Sequence, residues 1–141
     1  MFRDDYLIRQ IKQLAEVLAR MLNLRTEKRY DEALAAADAL YEELGIPRGL
    51  HDVVDSPTLA SMLRTPEAIR AAAHLQVEEG HIYKAMGDPM TAFSKYRRAT
   101  ELVLEARALD PQPSDDAMIL ELARVAPAWM LDDRYKSPED A

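Results

Sequence analysis

The sequence predicts an all-α protein made of one domain, and three observations carry that prediction. Apolar residues recur at spacings of three and four along most of the chain, the period of a helix with one buried face, and no strand-like alternation stands out. Helix start and stop signals (Ser-Pro, Thr-Pro, Asp-Pro, a Gly with Pro just beyond) punctuate those stretches at helical lengths. With 4 glycines and 8 prolines in 141 residues, tight turns are too few for an all-β fold or a phosphate loop. A chain of this length buries roughly 70% of its extended surface on folding, so a core can form without metals or disulfides.

Composition also limits function. Asp plus Glu is 25 and Lys plus Arg is 18, a net charge of −7, which argues against a dedicated nucleic-acid binder, because such affinity rests on neutralising phosphates. The absence of cysteine removes thiol catalysis, disulfide scaffolds, zinc knuckles and iron–sulfur clusters. Arg3, Asp4 and Asp5 make the start polar and no long apolar run follows, so a cytoplasmic protein without signal or membrane anchor is expected.

The first helix is expected from about Asp4 to Arg25. Leu7, Ile11, Leu14, Leu18 and Met21 fall on one stripe, with Ile8, Ala15 and Leu22 beside it. Either the next helix or a second copy of the chain must cover this heptad-like seam. Tyr30 to Leu44 follows, rich in alanines that allow close helix approach; Gly45 and Pro47 stop it. Residues 46 to 56 read as a connector with an apolar island at Leu50, Val53 and Val54. Ser56-Pro57 and Thr65-Pro66 each signal a start, the first of a short helix with Leu59, Met62 and Leu63, the second of a long one to Met86. Asp88-Pro89 opens another, running to Leu109. Ser114 or Asp115 is expected to cap a last helix carrying Met118, Ile119, Leu122 and Val125, closed by Pro127. Trp129 is expected to fold the last turn onto the body, with an exposed partner anchor as the alternative. The domain is expected to span 1–131, and 132–141 to be a frayed polar tail.

Between Ala73 and Ala99, Gly80, Tyr83, Gly87, Ala92, Tyr96 and Ala99 occur at spacings of 3, 4, 5, 4 and 3. Gly80 and Ala92 suit the closest approach of two antiparallel helices, with Tyr83 and Tyr96 filling the wedge. This resembles a tetratricopeptide repeat over one unit, Ala73 to about Ala106, departing from it at Gln76 and Glu79, where the repeat has Trp and Leu. Tyr30 and Ala33 give a weaker second match, separated from the first by an insert from Ile46 to Arg64. The opening residues are similar to those of small bacterial proteins of tetratricopeptide-like fold. The resemblance implies stacked antiparallel hairpins with a helical insert and a C-terminal capping helix. It also implies a groove for a protein or peptide partner, facing His74, Val77, His81, Lys84 and Ala85, with Arg25 as the loose counterpart of Lys84.

Other groups carry candidate chemistry. His74, Glu78 and His81 share one helical face and are of metal-ligand type. They do not form HExxH, and the outer two stand about 10 Å apart along the helix. A small metal-dependent hydrolase on these three residues is the alternative function. His51, beside Asp52 and Asp55, could act as a base, but no nucleophile accompanies it. Lys95, Arg97 and Arg98 form a short basic cluster read as helix surface. The function expected is a non-enzymatic interaction module with no cofactor, metal, nucleic-acid or membrane partner. Self-association as a homodimer is expected through Leu7, Ile11, Leu14, Leu18 and Met21 or through the C-terminal helix, because the second helix offers mainly alanines to cover that face.

Overall fold

A computed structural model describes residues 2–136. Among the described residues there are eight α-helices and no strand: α1 (Phe2–Thr26), α2 (Tyr30–Ala36), α3 (Asp38–Leu44), α4 (Arg48–Val53), α5 (Ser56–Leu63), α6 (Pro66–Ala85), α7 (Pro89–Leu109) and α8 (Pro113–Leu122). Two 3-10 turns, Ala128–Met130 and Asp133–Tyr135, follow. No helix of the described residues is long and apolar enough to cross a membrane.

Local chemistry sets the boundaries. Thr65 caps α6 by accepting from the Ala68 N–H at 3.1 Å, and Asp88 caps α7 by accepting from Thr91 N–H at 3.1 Å, as the two Pro signals imply. Gly45 takes φ +75° and donates to the Tyr41 and Glu42 carbonyls, which closes α3. Three expectations need correction. Asp55, not Ser56, caps α5, accepting from Thr58 N–H at 2.9 Å, so that Ser56 turns inward. Gln112, not Ser114 or Asp115, is the N-cap of α8, and the Asp115 carboxylate accepts from its N–H at 2.9 Å. The connector holds a short helix, α4.

The α6–α7 hairpin is the axis of the molecule. At its seam Gly80 lies flat against Tyr96: a Cβ at that position would stand 2.6 Å from the ring. On one side, α1, α2 and α3 pack on α6 around Met21, Leu24, Ala33, Leu40, Leu75 and Ile82. Beyond Ile46, α5 packs Leu59 and Leu63 against Ile69 of α6 and Leu102 and Val103 of α7. Leu122 and Ala126 seat the C-terminal segment on Ala92, Tyr96 and Ala99.

This packing corrects the expected dimer seam. Met21 is wholly buried, and Leu14 and Leu18 pack against the same cluster, because α6 as well as α2 and α3 covers this face. Ile11 is turned outward at 64% exposure, as are Ile8 and Leu22, while the side chain of Leu7 lies outside the described residues. Trp129 is 61% exposed rather than folded inward. The segment after 131 is docked on α7, not frayed, as far as Lys136. The Asp132 N–H donates to Glu101 at 2.9 Å, Tyr135 donates its hydroxyl proton to Glu105 at 2.7 Å, and Arg134 lies 3.7 Å from Glu105. Residues 137–141 of the expected tail lie outside the described residues.

Candidate functional site

His74, Val77 and His81 stand on one face of α6, and that face lines a cleft of about 470 Å³ against α8 and the turn after it. Val77, Met118, Leu122 and Val125 give the cleft an apolar wall. One end is closed by Arg70, whose Nε and Nη2 reach the two oxygens of Asp115 at 2.9 and 2.8 Å. This two-point pair, largely sheltered, holds the Asp115 carboxyl below its ordinary range and fixes the start of α8 against α6. Glu121 and Arg124 add charge to the lining. His81 Nδ1 lies 2.7 Å from the Tyr96 hydroxyl, and burial pushes its imidazole below the usual value. The ring is therefore neutral at pH 7, held in place through Nδ1, with Nε2 left over for another partner.

The other expected groove residues are placed elsewhere. Lys84 and Ala85 are exposed in the last turn of α6 and do not line the cleft. Arg25 is not a free cation: its Nε donates to Glu78 at 2.9 Å and ties the end of α1 to α6. The hydrolase alternative loses its ligand set for the same reason. Glu78 answers Arg25, His81 answers Tyr96, and no group of three His, Cys, Asp or Glu among the described residues could hold a metal ion.

A second polar constellation sits where Gln76 and Glu79 depart from the repeat pattern. Glu79 is fully buried and accepts from the Tyr41 hydroxyl and from Arg48 Nη1 at 2.5 Å. Gln76 Nε2 donates to the Tyr41 oxygen at 3.3 Å, and the Arg48 guanidinium lies 4.6 Å from the Tyr41 ring centroid. Arg48 Nη2 also donates to the Leu34 carbonyl and to Asp38, each at 2.8 Å. Burial, reinforced by the Glu79 charge, pushes the Tyr41 phenol well above its ordinary value. The His51 and Tyr41 rings meet nearly at right angles, 4.8 Å between centroids. His51 is fully buried, and neither ring nitrogen makes a well-formed hydrogen bond, although the Ile46 carbonyl lies beside the ring. Burial lowers its pKa to about 4, an effect that the nearby Ile46 carbonyl offsets only in part. His51 is therefore a neutral interior group, not the loop base that its neighbours Asp52 and Asp55 suggest.

Sequence reasoning missed Tyr41 and Arg48 as polar partners. The available signal was Glu79, a carboxylate in the helical row of Leu75 and Ile82, which demands a cation wherever that row is covered. No family model matches the chain, and comparison with curated proteins and with solved structures finds no match for it.

Proposed function

We propose that the chain is a non-enzymatic interaction module of tetratricopeptide-like hairpins, which takes a peptide segment of a protein partner into the cleft between α6 and α8. The observation that supports this reading is the cleft itself, with an apolar wall of Val77, Met118, Leu122 and Val125 and polar groups at His81, Glu121 and Arg124. That composition suits a segment with one or two bulky apolar anchors and a polar flank. Selection from a random peptide library is expected to enrich such segments, and Val77→Asp is expected to weaken their binding about tenfold or more. Enriched peptides that bind Val77→Asp equally well would remove the cleft from the proposal.

Self-association is a second element of the proposal, and the outward apolar residues at the start of α1 favour it. Ile8 and Ile11 stand clear of the core, and Ile11 borders a shallow apolar notch with Leu14, Leu40 and Leu44. Sedimentation at rising concentration is expected to show a dimer that Ile8→Asp with Ile11→Asp dissociates; a wild-type protein that stays monomeric overturns it. A cytoplasmic setting accords with this reading.

A further inference from the structure

A cavity of about 340 Å³, separate from the cleft, opens between α4, α6 and the first half of α7. Its lining includes His51, Lys95, Arg97 and Arg98, with Asp52 and Glu101 as the carboxylates. The hydrogen-bond inventory of this space is lopsided. Both oxygens of Glu101 are engaged, one by the Ser56 hydroxyl at 2.6 Å and the other by the Asp132 N–H at 2.9 Å. Asp52 accepts from Lys95 Nζ at 2.8 Å. Donors remain on the other side. Lys95, itself buried, has further N–H groups beyond that bond, and Arg97 makes no hydrogen bond or ion pair to any described residue. Arg98 is anchored by donation to Ser56 Oγ at 2.8 Å and to the Val54 carbonyl, which holds its charge at the wall.

His51 lies beneath these cations. The ring lies at the wall of this space with both nitrogens closed off from solvent and the Ile46 carbonyl beside it, so that it shapes the floor of the cavity as a neutral group. The space is lined by three cations of α7 and two carboxylates; Lys95 is paired with Asp52 and both Glu101 oxygens accept from neutral donors, which leaves Arg97 as the cation with no partner among the described residues. The shape also matters. A hollow half open to solvent and lined by three cations, on a chain of net charge −7, gives a small anion a local positive field that the rest of the surface lacks. Tyr83 and Met90 add less polar surface on which the rest of an organic molecule can lie.

We propose that this cavity binds a small organic anion whose phosphate or carboxylate head group is held by Lys95 and Arg97, with the buried His51 ring beneath it. The site is distinct from the peptide cleft and does not depend on it. The full chain would be titrated with inorganic pyrophosphate and separately with citrate, by calorimetry and by the 15N signals of the His51 ring. Saturable binding to one site per chain is expected, accompanied by movement of the His51 signals. Arg97→Gln, at an exposed position, is expected to weaken it about tenfold or more, and Lys95→Gln likewise. Arg124→Gln, a cation of the other cleft, should leave it unchanged. Saturation by pyrophosphate alone assigns a phosphate head group and by citrate alone a carboxylate; either supports the site. Failure of both to saturate, static His51 signals, or equal weakening by Arg124→Gln would overturn it.

Discussion

On one face of α6, Val77 looks across an open apolar cleft at Met118 and Leu122; on another, Glu79 is sealed beneath α3 and α4 with Tyr41 and Arg48. The same helix thus carries apolar side chains where it meets solvent and a carboxylate where it is buried. That is the reverse of what a helix built only for stability would do. Burying Glu79 is tolerable because the phenol and the guanidinium both donate to it, and the guanidinium keeps contact with water. The cleft tolerates its apolar lining because Arg70 and Asp115 hold α8 at a fixed distance instead of letting it collapse onto α6. Specific polar contacts therefore maintain both faces.

The comparison predicts a large asymmetry in mutational cost. Arg48→Met is expected to destabilise by about 3–5 kcal/mol, because it leaves the buried Glu79 carboxylate without its cation. Arg48→Met with Glu79→Leu should recover much of that loss, since an apolar pair of similar volume needs no compensation. Urea unfolding measures both. A cost below about 1 kcal/mol for Arg48→Met would mean that Glu79 is protonated or hydrated and the face is not sealed.

Acid sensitivity sharpens the same contrast. The imidazole of His51 falls from 6.5 to about 4 on folding, through burial, with Asp52 favouring its charged form and Lys95 and Arg98 opposing it. In the unfolded chain His51 takes up its proton below about pH 6.5, whereas the folded chain resists doing so until about pH 4. The contribution is thus intact above pH 6.5 and is lost as pH falls towards 4, to a total of about 3 kcal/mol if the whole shift is realised. His51→Leu should flatten that part of the stability–pH profile and raise stability at pH 7 by about 1 kcal/mol, since it removes two unpaired buried nitrogens. An unchanged acid slope in His51→Leu would show that the buried ring is not what resists protonation.

Between the two faces runs the seam with α7, where Gly80 meets the Tyr96 ring. Gly80→Ala gains helix propensity but places a Cβ 2.6 Å from a buried ring already held by His81. The net expectation is a loss of about 1–3 kcal/mol in thermal or urea unfolding. Ala92→Leu, at the neighbouring buried contact, should cost a similar amount. Wild-type stability in both would mean that the hairpin has slack at its closest point.

How much of this was legible in the sequence follows from range. The α6–α7 hairpin and its caps were, because Thr65, Asp88, Gly80 and Tyr96 act on neighbours or along an obvious period. The cleft was legible in part: His74, Val77 and His81 share a face by spacing alone, while Lys84 and Ala85 fall beyond the reach of α8. The polar cluster was not, because Arg48 sits in a six-residue helix too short to show a period and meets Glu79 across 31 positions of chain. The dimer stripe was overcounted for a similar reason. The alanines of the second helix alone leave Met21, Leu14 and Leu18 under-covered, whereas Leu75 and Ile82 of α6 cover them too.

The smallest effect on stability is expected from the residue that matters most for the proposed partner. Val77 is only half-buried: it rests on the Tyr96–Leu122 cluster and turns the rest of its surface to the open cleft, where a charge can reach water. Val77→Asp should therefore cost about 1 kcal/mol, from lost contact with the Tyr96–Leu122 cluster, well below Arg48→Met, while weakening peptide capture. Arg48→Met offers the opposite pattern: a large loss of stability, with peptide affinity per folded molecule preserved. Measured together by urea unfolding and peptide titration, the two substitutions separate the face that holds the fold from the face that is free to bind. If Val77→Asp instead costs as much as Arg48→Met, then α8 closes on Val77 in solution, and the cleft is interior packing rather than a binding surface.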